Sequence, residues 1–311
     1  MLKSKSLFLS GLVLTLINAC AGSPGELAQD VSEDANAAIA ASVPSTDIVL
    51  VSLDAVVAQR DPGKALTVTA RRGYDNQPAF SLDGRHLYFS SIANGGQSDV
   101  YRFDIATKAT RQITHTTESE YSPTPLADGG FTCIQVAMDG TQRLWRYGQD
   151  GTPQRALRPD VTGVGYHAWL SAQELALFIV AEPMRLEIAT ATGNERTTIA
   201  TDIGRSVLKT PDGDLSFVQG AQADKRTLMQ RDARTGALHA RAALPGPGED
   251  LVWLSDGSVL VANARTLYRL APDAEVWTEW VNLARSVAGD ITRMAVDPTG
   301  RWLALVVSES E

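Results

Sequence analysis

The sequence predicts an all-β fold, a β-propeller of six blades, and the main observation behind this prediction is a repeated turn. Apolar, strand-like segments flank an Asp-Gly pair that recurs at Asp83, Asp128, Asp212 and Asp256. The intervals are 45, 84 and 44 residues, and the longest of them equals two periods of 42. A repeat of about 40–45 residues built from short strands is the signature of a propeller blade.

Each blade is expected to contain four antiparallel strands, named a to d from the central channel outwards. The Asp-Gly turn joins strand a to strand b, and in blade three Ser171 stands in that turn instead. Strand c of blade one, at 99–104, alternates apolar and polar residues, as a half-buried strand does. The five complete copies are predicted at 73–114, 115–159, 160–200, 201–245 and 246–284.

The sixth copy is expected to be completed by the start of the propeller sequence. It begins at Ile291, ends at residue 307 and supplies only two strands. Strand-like segments at 47–53 and 65–69 precede blade one and provide the other two. Pairing of N-terminal strands with the last blade would close the ring and hide its edges.

Residues 76–114 carry a family resemblance. The strings NQPAFSLDGRHLYFSS and SDVYRFDIATKATRQIT resemble the WD-like repeat of the TolB-type six-bladed propellers, which also occurs in the propeller domains of prolyl-oligopeptidase relatives. The resemblance is closest in blades one and two and extends over 47–311. It implies one propeller domain over that range, without the separate N-terminal domain of TolB or the hydrolase domain of the peptidases. Likeness of fold implies little about function.

The N-terminus has the pattern of a targeting segment. Lys3 and Lys5 precede an apolar stretch at 7–17, which is short for a membrane span. The segment closes with the residues LINAC at 16–20, of which Cys20 is the last. This resembles a bacterial lipoprotein signal, which implies a signal peptide at 1–19 and a lipid on Cys20. Residues 20–46, rich in Ala, Ser, Asp, Glu and Pro, are predicted to be a disordered tether. An ordinary cleaved signal peptide is the alternative.

The lipoprotein resemblance also implies a location. Ala21, rather than Asp, follows Cys20, which under the lipoprotein sorting rule favours the bacterial outer membrane. We expect a lipid-anchored, periplasm-facing monomer. The net charge of −8 and the pI of about 5.1 argue against a nucleic acid partner. Cys133, in an apolar segment, is expected to be a small buried hydrophobe without a disulfide partner.

Catalytic motifs are missing from the sequence. It contains no Gly-x-Ser-x-Gly, no Walker loop, no His-Glu-x-x-His and no cysteine pair at zinc spacing. We therefore predict no catalytic residue, metal or cofactor, and interpret the chain as a non-enzymatic protein.

A candidate ligand site is expected at the mouth of the channel, where the residues that enter each strand a lie. This set mixes carboxylates, arginines and aromatic groups, which suits a peptide or a small polar ligand. The candidates are Asn76, Gln77, Glu120, Tyr121, Tyr166, His167, Arg205, Glu249, Asp250, Asp290 and Arg293. The alternative is that the opposite charges only satisfy one another around a water-filled channel.

For some residues near the candidate site, or with notable charge, a structural role competes with ligand binding. Trp169 is expected to be core, in register with Phe80 and Trp253, whereas His167 is either a ligand contact or a satisfied channel-facing histidine. The basic pairs Arg71-Arg72 and Lys225-Arg226 are interpreted as solvated loop charges.

Three functions remain open. The first is an envelope lipoprotein whose propeller is a non-catalytic scaffold for a protein or peptide, favoured by the lipoprotein signal, the tether and the lack of catalytic motifs. The second is a metal-dependent, lactonase-like or other hydrolase that uses the channel. The third is a cell-wall glycan binder that uses Tyr121, Tyr166 and His167. In the second function, the metal-dependent hydrolase, the metal ligands would be Glu120, Glu249, Asp250 and Asp290.

Overall fold

Six four-stranded antiparallel sheets follow one another around a ring in the part of the chain that the structure describes. The computed structural model describes residues 44–93, 96–220, 222 and 225–308. The predicted signal peptide, Cys20 and all but the last three residues of the predicted tether lie outside this range. No helix among the described residues has the length and apolar character needed to cross a membrane.

The first elements of the chain belong to the last blade, and blades one to three follow. Strand β1 (Thr46–Ser52), helix α1 (Leu53–Val57) and strand β2 (Leu66–Thr67) come first. Blade one contains β3 (Tyr74–Phe80), β4 (His86–Ile92), β5 (Asp99–Asp104) and β6 (Thr110–Gln112). Blade two contains β7 (Ser119–Pro125), β8 (Phe131–Val136), β9 (Gln142–Tyr147) and β10 (Pro153–Ala156). Blade three contains β11 (Val164–Trp169), β12 (Glu174–Ile179), β13 (Arg185–Thr190) and β14 (Arg196–Thr201).

The remaining blades have the same order of strands. Blade four contains β15 (Ile203–Lys209), β16 (Leu215–Gln219), β17 (Thr227–Arg231) and β18 (Leu238–Ala243). Blade five contains β19 (Leu251–Trp253), β20 (Val259–Asn263), β21 (Thr266–Leu270) and β22 (Thr278–Asn282). Blade six contains β23 (Ile291–Val296) and β24 (Trp302–Ser308), completed by β1 and β2. The predicted six-bladed, all-β architecture is confirmed.

The hydrophobic core is divided among the interfaces between blades. Successive side chains of a strand point to opposite faces of its sheet, so the second strand of a blade buries both faces. In β12, Leu175, Leu177 and Ile179 pack towards blade two, whereas Ala176 and Phe178 pack towards blade four. Each of the six interfaces in the described structure has such a cluster. This double burial explains why the second strands are nearly continuous apolar runs.

The recurring turn has the same chemistry in most copies. The Oδ1 of Asp83 accepts a hydrogen bond from the backbone N–H of Arg85 (3.1 Å), and Asp256 binds the N–H of Ser258 in the same way (2.9 Å). Gly84 follows with a φ of +64°, in the left-handed region that favours glycine. In blade three the hydroxyl of Ser171 accepts from the N–H groups of Gln173 and Glu174. A serine therefore replaces the Asp-Gly pair without loss of the hairpin.

The ring closes through strands from the two ends of the propeller. Strand β1 pairs with β24 over seven residue pairs, from Thr46–Ser308 to Ser52–Trp302, and β2 pairs with β1. The predicted closure of the last blade by N-terminal strands is confirmed. A parallel bridge between Thr46 and Tyr74 then connects blade six to blade one. Because β1 begins at Thr46, the folded part extends one residue into the predicted tether.

Helix α1 anchors the closing segment to blade five. The Oγ of Ser52 caps the helix by accepting a hydrogen bond from the N–H of Ala55 (3.3 Å). The indole N–H of Trp280 donates to the backbone oxygen of Val56 (2.9 Å). Both Leu53 and Val56 are buried in the cluster between blades five and six. The connection between β1 and β2 therefore stabilises the same closure as the strands themselves.

Replacement of Leu50 by alanine tests the closure. Leu50 lies in β1, is fully buried and packs in the cluster between blades six and one. Removal of a buried leucine side chain generally costs about 2–5 kcal/mol of the free energy of unfolding. We expect a loss of that size for Leu50→Ala in denaturant unfolding. Leu82→Ala is the matched control because Leu82 is 58% exposed, and it should change stability by less than about 0.5 kcal/mol. Equal losses would contradict the assigned role of β1.

Candidate functional site

One side chain from each of the six blades contributes to a polar and aromatic group in the centre of the ring, which we call the channel cluster. Its members lie on the innermost strand of a blade or directly before it. Three tyrosines come from consecutive blades, and three charged residues come from the other half of the ring. The channel cluster consists of Tyr74, Tyr121, Tyr166, Arg205, Asp250 and Arg293.

A contact across the channel connects the two halves of the cluster. The Nη2 of Arg293 donates a hydrogen bond to the hydroxyl of Tyr166 (3.3 Å), and the guanidinium carbon lies 5.2 Å from the centre of the tyrosine ring. Arg293 belongs to blade six and Tyr166 to blade three, so two blades separate them in either direction around the ring. The contact therefore spans the central channel.

A chain of ion pairs holds the charged half of the cluster. The Nε of Arg205 donates to both carboxylate oxygens of Asp250 (3.2 and 3.1 Å), and the Nε of Arg293 lies 3.5 Å from the same carboxylate. Glu249 extends the chain, because its carboxylate lies 3.6 Å from Arg205 and 3.7 Å from Arg226. Bidentate contact fixes the orientation of an arginine as well as its position. The order is Arg293, Asp250, Arg205, Glu249 and Arg226.

Asp250, Arg205 and Arg293 are charged at neutral pH. Burial by itself would raise the pKa of Asp250, but Arg205 and Arg293 outweigh it and hold that pKa below its usual range. Burial opposes the charge of the arginines too, and Asp250 outweighs it, so the pKa values of Arg205 and Arg293 are raised. Burial and the neighbouring Tyr166 raise the pKa of Tyr74, which remains a neutral phenol.

Irregular pairing lies next to the channel cluster in several inner strands. The register between the first two strands shifts between Asn76 and Ala79 in blade one, and between Tyr121 and Thr124 in blade two. Gln77 and Ser122, 45 residues apart, have φ values of +57° and +53° at these shifts. Bulges of this kind redirect side chains and are frequent near functional sites.

The bulges are tied to the next blade by hydrogen bonds. The Oε1 of Gln77 accepts from the backbone N–H of Ser122 (2.8 Å), and the Oγ of Ser206 accepts from the N–H of Leu251 (3.2 Å). Gln77 is therefore a link between blades one and two. The side-chain oxygen of Asn76 accepts from the N–H of Gln77 (2.7 Å).

The structure does not bring Glu120 to the channel. Its side chain is fully buried between blades one and two, where its Oε1 accepts hydrogen bonds from Thr116 and from the hydroxyl of Tyr147 (3.0 Å). The reason is strand alternation: Tyr121 packs on the face of blade two that is turned towards blade three, so its neighbour Glu120 lies on the opposite face, towards blade one. Burial raises the pKa of Glu120 to about 7, and its Oε2 has no hydrogen-bond partner among the described residues.

His167 is likewise directed away from the channel, as the neighbour of Tyr166. Its Nε2 lies 2.7 Å from the hydroxyl of Thr132, which also accepts from the indole N–H of Trp169 (3.1 Å). Burial lowers the pKa of His167 to about 3, so the imidazole is neutral. The arrangement favours a structural role between blades two and three. Trp253 makes the matching contact with Ser216 between blades four and five (2.8 Å).

Other residues lie where the sequence did not lead us to expect them. Asp290 is exposed and precedes β23. Tyr74 takes the place in the cluster that we expected for Asn76. Counting back from the turn selected Asn76, and because residues two apart share one face of a strand, that face also includes Tyr74, whose ring packs against Tyr121. Arg226 is buried at 8% exposure, against our interpretation as a solvated loop charge.

The candidate metal ligands are not brought together. Glu120 is enclosed between blades, Glu249 and Asp250 are paired with arginines, and Asp290 is exposed. No group of three or more His, Cys, Asp or Glu side chains suited to a metal ion occurs in the described parts of the chain. A shallow cavity of about 310 Å³ lies elsewhere, lined by Asp139, Gln142, Arg143, Gly163 and Val180 among others.

The pH dependence of stability should reveal the buried carboxyl of Glu120. Its pKa is raised from 4.5 in the unfolded chain to about 7. Between these values the unfolded chain releases a proton that the folded protein retains, so the free energy of unfolding falls as the pH rises. Relative to Glu120→Gln, the native protein should lose about 3 kcal/mol between pH 4.5 and 7 and little more above pH 7. Denaturant unfolding across this range measures the difference.

The exposed carboxyl of Glu279 supplies the control for this titration. Glu279 lies on β22 at the outer edge of blade five. The difference in stability between the native protein and Glu279→Gln should stay nearly constant from pH 4.5 to 8. A constant difference for Glu120→Gln as well would contradict a raised pKa.

Comparison with known proteins gives matches to solved structures only. No protein-family model matches the sequence, and no curated protein matches it either. The protein assigned as TolB from Agrobacterium tumefaciens is 11% identical with a TM-score of 0.68, and the match covers 87% of this chain and all of that one. A gluconolactonase from Xanthomonas campestris is 12% identical with a TM-score of 0.60, and the match covers 86% of this chain and 97% of that one.

A third similar structure is an oligogalacturonate lyase from Vibrio parahaemolyticus. It is 14% identical with a TM-score of 0.55, and the match covers 78% of this chain and 80% of that one. These proteins differ in their described activities, and at such identities the likeness concerns the fold alone. The resemblance noted in the sequence is confirmed at that level: the chain has a TolB-like β-propeller fold.

Proposed function

We propose that the protein is a lipid-anchored scaffold of the bacterial cell envelope that binds a protein or peptide at the channel cluster and does not catalyse a reaction. The observation that carries this proposal is the convergence of one polar or aromatic side chain from each blade on the same end of the channel. Such a surface exists only when the whole ring is assembled.

The composition of the channel cluster supports a macromolecular ligand. Tyrosine and arginine are enriched in protein interfaces and among the residues that contribute most to binding. The three tyrosines are half-buried, so each keeps a rigid ring with a polar hydroxyl for contact. The ion pairs hold the arginines in place before a ligand arrives, which reduces the entropy lost on binding.

The charge and the N-terminal sequence support the location. A net charge of −8 does not suit a nucleic acid ligand. The lipoprotein-like segment that ends at Cys20 would anchor the protein in the outer membrane, and residues 21–45 would allow the propeller to reach partners in the periplasm. In this proposal the propeller acts as a monomer.

Site-specific photo-crosslinking in living cells tests the binding surface. We expect a photoreactive phenylalanine analogue at Tyr121 to crosslink the protein to a distinct envelope protein or peptide, because Tyr121 is half-buried beside the channel. The control position is Leu238, which is 42% exposed on the outermost strand of blade four. Identical products from both positions, or no product from Tyr121, would argue against a specific site at the channel.

Replacement of Cys20 tests the anchor. A thioether-linked lipid at this residue would hold the protein in the membrane fraction, and the variant would lack this attachment. We expect Cys20→Ser to abolish incorporation of labelled fatty acid and to move the protein out of the outer-membrane fraction. Cys133→Ser is the matched control, because Cys133 is buried between blades one and two. An unchanged membrane fraction for Cys20→Ser would exclude the anchor.

A further inference from the structure

We propose that the channel cluster recognises an acidic peptide, and that Arg293 and Arg205 receive a carboxylate group of that peptide. This inference rests on the proposed function, because it names the chemistry of the peptide for which the scaffold is built. Four observations carry it: the local balance of charge, the unsatisfied arginine donors, the access to the guanidinium groups, and the aromatic surface beside them.

The charge of the ion-pair chain is not balanced. Among the described residues, Arg205, Arg226 and Arg293 face only two carboxylates, those of Glu249 and Asp250. The cluster therefore has one excess positive charge, although the whole protein carries a net charge of −8. An excess charge in a partly buried site is stabilised by a ligand of opposite sign.

The donors of the arginines also outnumber the acceptors. The Nε of Arg293 and that of Arg226 are buried and make no hydrogen bond within the described structure. A guanidinium group carries five N–H donors and no acceptor, and buried donors are usually satisfied. The distance of 3.5 Å between Arg293 Nε and Asp250 is an electrostatic contact without a hydrogen bond. An added carboxylate would provide the acceptors that the cluster lacks.

The two central arginines remain accessible. The side chain of Arg205 is 33% exposed and that of Arg293 is 14% exposed. Arg226, the last residue in the series of ion pairs, is only 9% exposed. Hydrogen bonds to Asp250 fix the orientation of Arg205, and Arg293 donates a hydrogen bond to the hydroxyl of Tyr166. A ligand can therefore reach Arg205 and Arg293 without displacing an existing ion pair.

The aromatic half of the cluster favours a peptide over an inorganic anion. Tyr166 contacts Arg293 directly, and Tyr121 packs edge-on against Tyr74 with ring centres 6.4 Å apart. Half-buried rings beside a cationic group suit a carboxylate that is flanked by side chains and backbone. A free small anion would use the arginines only.

Peptide libraries test this inference with the full-length protein purified in detergent. The probes are capped pentapeptides with random outer positions and Glu, Gln or Lys in the centre, and their binding is measured by fluorescence anisotropy. We expect the Glu library to bind about tenfold more tightly than the Gln library, because charge-assisted hydrogen bonds to arginine strengthen binding by this order. The Lys library should bind more weakly than both.

Variants assign the preference to the channel cluster. Arg293→Gln should remove most of the difference between the Glu and Gln libraries, and Arg293→Lys should keep part of it. Arg234→Gln is the matched control, because Arg234 is exposed in a turn of blade four, and it should keep the full difference. A thermal melt of each variant shows whether it folds. If Arg293→Gln does not fold, a reduced difference between the Glu and Gln libraries in Arg293→Lys assigns the preference to this residue.

The outcomes separate this inference from the proposed function. Equal binding of the Glu and Gln libraries, no binding of either, or equal loss in Arg234→Gln overturns the acidic-peptide inference. The scaffold function still stands in those cases if crosslinking at Tyr121 yields a partner. Tighter binding of an acidic oligosaccharide than of any peptide library also overturns the inference. Failure of both experiments removes both proposals.

Discussion

Closure of the ring is the constraint on which the rest of the structure depends. The seven residue pairs between β1 and β24 join residues that are 250 to 262 positions apart in sequence. Without this pairing, blade six would have two strands and an open edge, and blade one would lose the bridge between Thr46 and Tyr74. The contact between Tyr166 and Arg293 requires the closed ring, because its partners lie on opposite blades. Assembly of the channel cluster is thereby coupled to closure of the whole ring.

Strand alternation then divides the polar residues of the inner strands between two environments. Tyr121 and Tyr166 pack on the face of their blade that is turned towards the following blade, where they also contact other members of the channel cluster, and their neighbours Glu120 and His167 lie on the opposite face. Both buried groups are neutralised rather than charged, in accordance with the cost of burying an ion in an apolar surrounding. Glu120 remains protonated up to about pH 7, and His167 remains unprotonated above about pH 3. One strand therefore carries a buried, neutral group on one face and a member of the channel cluster on the other.

The ion pairs at the channel contribute more to geometry than to stability. Removal of charges from water costs several kcal/mol per ion, and the attraction between partners roughly compensates this cost. What the contacts supply is a fixed position: Asp250 orients Arg205 by hydrogen bonds, and Arg293 is held by its hydrogen bond to Tyr166 and its electrostatic contact with Asp250. A flexible arginine would lose its rotamer freedom on binding, whereas these two have already lost it. The cluster is in this sense prepared for a ligand before the ligand arrives.

The sequence by itself determined the number of blades, the turn chemistry and the closing strands, because all of these follow from local patterns: an Asp-Gly pair, a period near 42 residues and alternating apolar residues. It also indicated that a site would lie where the chain enters the innermost strand of each blade. It did not separate Tyr121 from Glu120, or select Tyr74 over Asn76, because the contacts that distinguish these residues join positions far apart in the sequence. Only the tertiary structure decided which charges meet. The pairing of Arg205, Asp250 and Arg293 joins three blades, and no local pattern encodes contacts between residues 43 and 45 positions apart.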